Sequence, residues 1–226
     1  MKKSSDKISV FDRIASFIYP SVCFCCGEIT PQGVYVCVKC EKMLEGCKNK
    51  RPKAVSYCGR PITVYSPFVY KSAAASAVKL LKFSFRPDNA KPMGDAVAYK
   101  AQRLRDKDFD IVTAVPMTAK SAADRKYNHA ELIAKRTAAV LGVEFDASVL
   151  KKIRETKQQH TLSGLERRIN VKNAFSASEN AAGKHILLVD DVVTTGATIC
   201  ECASCLYFAG AKKVTCITFA AAKYSN

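Results

Sequence analysis

The stretch from His185 to Thr198, reading H-I-L-L-V-D-D-V-V-T-T-G-A-T, restricts the possible folds of this chain more than any other. Its first five residues have the pattern of a buried strand. The strand ends on two adjacent carboxylates, Asp190 and Asp191, and runs through a Thr-Thr-Gly turn into a helix expected near 197 to 209. A buried strand passing directly into a helix is the building unit of a parallel sheet covered by helices. In such sheets ligands bind beyond the carboxyl ends of the strands, which is where the Asp190-Asp191 turn falls.

The rest of the chain agrees from about residue 64 onward. Helices are expected near 70 to 83, 93 to 105 and 124 to 141, with strands at Ile111 to Val115, Ile186 to Asp190 and Val214 to Phe219. Strands separated by helices require crossover connections and therefore a parallel α/β sheet. Before this region, Phe11, Ile14, Ala15 and Ile18 recur at helical spacing until Pro20, which predicts a short amphipathic helix. Three units follow: an N-terminal helix over 1–20, a cysteine-rich module over 21–62 and an α/β domain over 63–226.

The chemistry of the Asp190-Asp191 turn can be read residue by residue. Adjacent carboxylates at a strand end can accept hydrogen bonds from vicinal ribose hydroxyls and hold a cation through those hydroxyls or through water. The turn Thr194-Thr195-Gly196-Ala197-Thr198 offers backbone N–H groups at a helix N-terminus together with hydroxyl donors. Gly196 allows a phosphate to come close to the backbone. A nucleoside-triphosphate loop would read G-x-x-x-x-G-K-[ST]; this turn has no such lysine and suits a monophosphate end. The expected ligand is a 5-phosphorylated ribose, with Mg²⁺ as the accompanying cation.

Seven of the 11 cysteines lie between residues 21 and 60. Cys23-Phe24-Cys25-Cys26 and Cys37-Val38-Lys39-Cys40 contain two C-x-x-C pairs ten residues apart, the spacing of a tetrahedral Zn²⁺ site formed by Cys23, Cys26, Cys37 and Cys40. Cys25 competes with Cys23 or Cys26 for a place in that set. Cys58-Gly59-Arg60-Pro61 resembles half of a second knuckle, but Val55 stands where its partner would be; Cys47 and Cys58 have no assigned role. Cys202 and Cys205 share a helix face and are expected to be buried thiols, whereas Cys200 points elsewhere.

The formal charge of +16 favours a polyanionic partner or a phosphorylated ligand, and is equally compatible with a plain basic surface. Asp12 and Arg13 interrupt the first apolar run before a signal-peptide core forms, and no segment approaches the roughly 20 apolar residues of a membrane span. The expected location is therefore the cytoplasm, where cysteines serve as metal ligands or buried thiols.

Leu187 to Thr198 is similar to the phosphoribosyl-pyrophosphate signature of type I phosphoribosyltransferases, and further segments resemble one branch, the ComF family. Ala114-Val115-Pro116-Met117 resembles its strand-to-pyrophosphate-loop turn, and Arg125-Lys126-Tyr127-Asn128 its R-G-F-N. Leu81-Lys82-Phe83 with Arg86 resembles L-K-Y-x-G-R. Arg154-Glu155-Thr156, Gln159, Leu162, Arg167, Asn170-Val171 and Phe175 resemble its mobile loop. The four-cysteine module completes the likeness. His129 and Phe85 depart from the family pattern.

The resemblance implies a type I phosphoribosyltransferase-like fold preceded by a zinc finger, acting on phosphoribosyl pyrophosphate. Thr194, Thr195, Gly196, Ala197 and Thr198 would take the 5-phosphate, and Asp190 and Asp191 the ribose hydroxyls and Mg²⁺. The backbone at Pro116 and Met117, with Lys82, Arg125 and Arg154, would take pyrophosphate. His129, on a predicted helix, is expected to be structural, and His160 is given no acid-base role. No base-recognition hood is visible, and the finger could occupy its place. Two functions follow: a transferase with an unassigned acceptor, or a non-catalytic adaptor that binds single-stranded DNA and senses ribose phosphate. The resemblance further implies a role in natural competence and DNA uptake, with helicase-like competence proteins as partners.

Overall fold

A computed structural model describes residues 21–57, 60–84, 86–118, 127–156 and 164–223. The expected N-terminal helix, Cys58, Phe85, Arg125, Gln159 and His160 lie outside the described residues. The helices are α1 (Val38–Glu45), α2 (Ser72–Phe83), α3 (Ala90–Ala101), α4 (His129–Leu141), α5 (Gly164–Val171) and α6 (Ala197–Phe208). The strands are β1 (Lys53–Tyr57), β2 (Arg60–Tyr65), β3 (Phe68–Val69), β4 (Ile111–Ala114), β5 (Glu144–Phe145), β6 (Leu150–Lys152), β7 (Phe175–Ala177), β8 (His185–Val193) and β9 (Lys213–Ala221).

The main sheet has the order β1-β2-β9-β8-β4-β5, with β3 continuing the β2 edge along β9. From β2 to β5 every pairing is parallel, as the helix-strand alternation predicts. At the far edge β1 is antiparallel to β2, because two residues between them leave no room for a crossover. Strands β6 and β7 form a separate antiparallel pair. The expected division near residue 62 falls inside β2.

The central strands β8 and β9 are buried on both faces, and their side chains alternate between two cores. Leu187, Val189, Ile217 and Phe219 pack with α2, α3 and α4. Ile186, Leu188, Val214 and Cys216 pack with α6 on the other face. The first core continues into the cysteine-rich segment: Phe24, Cys25, Leu44 and Cys47 belong to it, and the Phe24 ring meets Phe219 edge-on at 6.3 Å. Helices α3 and α4 cross closely at Gly94, where a Cβ would come within 2.6 Å of the Arg136 Cβ and 2.9 Å of the Ile133 carbonyl. Among the described residues no helix is long and apolar enough to cross a membrane.

Candidate functional site

Strand β8 carries Asp190 and Asp191 to its carboxyl end, and parallel pairing with β4 brings the segment after Ala114 to the same end. Asp190 is half-buried and Asp191 buried. The backbone N–H of Asp191 donates to Asp190 Oδ1 at 2.8 Å, fixing the first carboxylate against the chain. Lys82, in the last turn of α2, reaches Asp191 with its Nζ at 2.8 Å from Oδ2 and 3.0 Å from Oδ1. Residues 109 positions apart thus meet in one acid-base cluster.

The electrostatics follow from crowding. Burial, reinforced by the neighbouring Asp191 charge, pushes the Asp190 carboxyl up to about 7, although Lys82 pulls the other way. Burial works to lower the Lys82 pKa, but the two carboxylates outweigh it and the ammonium titrates above its ordinary value. A half-buried carboxylate held so high beside a lysine, at the carboxyl end of a sheet strand, marks this cluster as the candidate site.

Beyond Val193 the chain turns through half-exposed and exposed Thr195 and Thr194 into α6. Gly196 has φ +84°, a conformation that favours glycine, and a Cβ there would lie 2.6 Å from Val55 Cγ1. The glycine thus makes room for Val55 on β1. The Thr195 hydroxyl accepts from the Ala197 N–H at 3.4 Å, and the Cys200 N–H to Gly196 carbonyl bond of 2.9 Å opens the helix.

Pro116 and Met117 follow β4 as a half-buried segment. Asn128 anchors it: its Nδ2 donates to the Val115 carbonyl at 3.1 Å, while its Oδ1 caps α4 by accepting from Ala130 N at 3.1 Å and Glu131 N at 3.4 Å. Tyr127 ties this segment to α2 through a 3.0 Å bond from its hydroxyl to the Leu81 carbonyl, one residue before Lys82. His129 is buried at the start of α4 with the Tyr127 ring at 5.1 Å. Arg154 is engaged elsewhere: its Nη2 donates to the Asn170 and Lys172 carbonyls at 3.0 and 2.7 Å, closing the carboxyl end of α5.

The sulfurs of Cys23, Cys26, Cys37 and Cys40 all lie within 4.8 Å of one another. A tetrahedral ion at about 2.3 Å from each sulfur needs sulfurs about 3.8 Å apart. The Cys26–Cys37 separation is 3.8 Å. The first pair sits on a tight turn closed by the Gly27 N–H to Cys23 carbonyl bond of 2.8 Å, with Gly27 at φ +79°. The second pair opens α1, where Cys37 is the N-cap and its sulfur accepts from Cys40 N at 3.4 Å. A helix N-terminus favours thiolate. Burial is the largest influence on Cys23 and raises its pKa, but nearby backbone N–H groups outweigh it and bring the thiol down to about 7. Cys25 is buried outside this group, so it competes for no ligand position, and burial pushes its thiol up. Cys47 is also buried, its thiol directed at the Met43 and Lys71 carbonyls at 3.2 and 3.3 Å. Cys200 and Cys202 are buried and Cys205 half-buried.

With this arrangement in place, residues 128–225, which include β8, its turn and α6, match the phosphoribosyl transferase domain family. The chain is similar to DNA utilization protein YhgH over most of its length and to competence protein F over less than half of it. It is 29% identical to the Salmonella typhimurium YhgH over 204 residues, covering 85% of this chain and 87% of that protein. The Escherichia coli K12 YhgH is 28% identical over the same shares. The Haemophilus influenzae competence protein F is 32% identical over 108 residues, 46% of this chain and 47% of that protein. Among solved structures, adenine phosphoribosyltransferase from Thermoanaerobacter pseudethanolicus is similar at 16% identity, over 78% of this chain and 84% of that one, with a TM-score of 0.40.

Proposed function

We propose that this protein binds phosphoribosyl pyrophosphate with Mg²⁺ at the Asp190-Asp191 turn and transfers its phosphoribosyl group to an acceptor nucleophile. The observation that carries this reading is the joining of Lys82 to Asp191 at the carboxyl end of β8, a strand that lies inside the match to the phosphoribosyl transferase domain family. Asp190 and Asp191 hold the ribose hydroxyls, and Thr194 to Thr198 take the 5-phosphate at the N-terminus of α6. Lys82, Arg125 and the backbone at Pro116 and Met117 take the pyrophosphate; Arg154 joins them only by giving up its α5 carbonyls. Mg²⁺ would neutralise negative charge on the pyrophosphate. The bond from ribose C1 to pyrophosphate breaks, a bond from C1 to the acceptor forms, and the acceptor's proton leaves to solvent. The chain's contribution is to position the two reactants and stabilise the departing charge.

The four cysteines hold one structural Zn²⁺ in this reading. The names of the relatives, with the +16 charge, support a role alongside DNA in uptake or use, with single-stranded DNA as a further ligand and helicase-like competence proteins as partners. The test is incubation with phosphoribosyl pyrophosphate, Mg²⁺ and a panel of bases, reading pyrophosphate release, beside calorimetry of Asp190→Asn/Asp191→Asn. Base-dependent release supports transfer, and tight binding without release supports a ribose-phosphate sensor. Unchanged binding by the double variant removes the site assignment.

A further inference from the structure

The hairpin β1–β2 precedes the matched residues, yet its Val55 packs against the Thr-Thr-Gly turn and its Lys53 bonds Ala222, which pairs with the residue before that turn. Lys53 and Val55 alternate inward along β1, both buried, while Ala54 and Ser56 are exposed. Val55 fills the space left by the missing side chain of Gly196. Lys53, only 7% exposed, sends its Nζ to the Ala222 carbonyl at 2.8 Å. Ala222 in turn donates its N–H to the Val193 carbonyl at 2.8 Å, and Val193 is the residue before Thr194. A buried ammonium is therefore anchored one hydrogen-bonded residue away from the turn, on the strand that also packs against Gly196.

The N-terminus of α6 begins at Ala197 and presents N–H groups with partial positive charge. Burial lowers the Lys53 pKa. An anion seated on the turn would attract the buried ammonium and the helix end together. The turn has no lysine of its own, and the hairpin places one beside it.

Resting on the reading of this turn as the 5-phosphate site, we propose that Lys53 contributes the cationic contact to the ligand's 5-phosphate, making hairpin β1–β2 part of the binding site. Loss of that charge should weaken the phosphate end of the ligand selectively. Calorimetry of the full chain with ribose 5-phosphate should show Lys53→Met binding roughly 10- to 100-fold more weakly than wild type, the range of one charge-assisted hydrogen bond. Lys53→Arg should retain most of the affinity, and Mg²⁺-pyrophosphate should bind all three proteins alike. In lysine isotope-labelled wild-type protein, the Lys53 Nζ resonance should move on addition of ribose 5-phosphate and stay in place with ribose; this measurement stands even if Lys53→Met fails to fold. Equal binding of ribose 5-phosphate by wild type and Lys53→Met, or an unmoved Nζ resonance under saturating ribose 5-phosphate, overturns the Lys53 assignment alone. Failure of wild type to bind ribose 5-phosphate overturns the turn assignment as well.

Discussion

Replacing Asp190 by Asn should stabilise the unliganded protein at neutral pH while destroying its affinity for phosphoribosyl pyrophosphate. In the folded chain burial and Asp191 raise the Asp190 carboxyl to about 7, whereas in the unfolded chain it titrates near its ordinary value of about 4. Between those values the folded state holds the extra proton, so wild-type stability falls as pH rises from about 4 to about 7. At about 1.4 kcal/mol per pH unit over roughly three units, the ionised Asp190 costs about 4 kcal/mol by pH 7 to 8. Asparagine has no such titration. Urea denaturation of both proteins at half-unit steps from pH 4 to pH 8 should give a stability difference near zero at pH 4 that grows in favour of Asp190→Asn and levels off above pH 7. Asp191→Asn makes the contrast: it strips Lys82 of its partner and should lose about 2–3 kcal/mol at pH 7, somewhat less than a fully buried pair. If the wild-type and Asp190→Asn curves run parallel from pH 4 to pH 8, or if Asp190→Asn is the less stable at pH 8, the account of a destabilised, ligand-awaiting carboxylate is wrong.

Three other outcomes follow from the same structure. Metal analysis of the purified protein should find one zinc per chain, and Cys26→Ser or a strong chelator should both remove it and lower the main unfolding temperature, because Phe24 and Phe219 share one core; a domain whose melting ignores the metal refutes this coupling. Gly94→Ala should cost about 1–3 kcal/mol by forcing α3 and α4 apart, read as a shift in the urea midpoint. His185 is buried with Nδ1 at 2.8 Å from the Asp108 carbonyl and Nε2 at 2.9 Å from Thr215 Oγ1, and burial holds its pKa below the ordinary value. Its contribution is thus present above about pH 6.5 and is lost as pH falls through the folded value, with a slope of at most about 1.4 kcal/mol per pH unit that His185→Gln should abolish.

The elements that proved legible in the sequence were those with unbroken apolar runs. Strands β8 and β9 extend three or more residues beyond what Ile186 to Asp190 and Val214 to Phe219 suggested, since Val192, Val193, Ala220 and Ala221 continue the pairing. Helix α4 begins at His129 rather than near 124, because Asn128 caps it. Hairpin β1–β2 was missed for a physical reason: Lys53, Arg60 and Pro61 break the alternation, and neighbouring cysteines drew the segment into the metal module. Strands β6 and β7, three residues each, are too short to show a period. At the site, Asp190, Asp191 and the Thr-Thr-Gly turn were readable because they are contiguous. The pairing of Lys82 with Asp191 depends on how α2 lies over the sheet, which no local pattern encodes. Lys53 follows Lys50-Arg51-Pro52 and looks like one more surface charge until the burial parity of β1 is known.

Strand β9 lies between β2 and β8, although it is the last strand in chain order. Its Phe219 covers Phe24, near the beginning of the described chain, and its Ala222 neighbour receives Lys53. During synthesis, then, the cysteine turn and the hairpin leave the ribosome long before the surface that completes them. Until β9 is available, β2 and β8 lack the strand that joins them, and Phe24 lacks the Phe219 ring. Strand β9, with Ala222 after it, thus ties Phe24, Lys53 and Val64 to a segment more than 140 residues away in sequence, long-range contacts of the kind whose loop-closure cost slows folding.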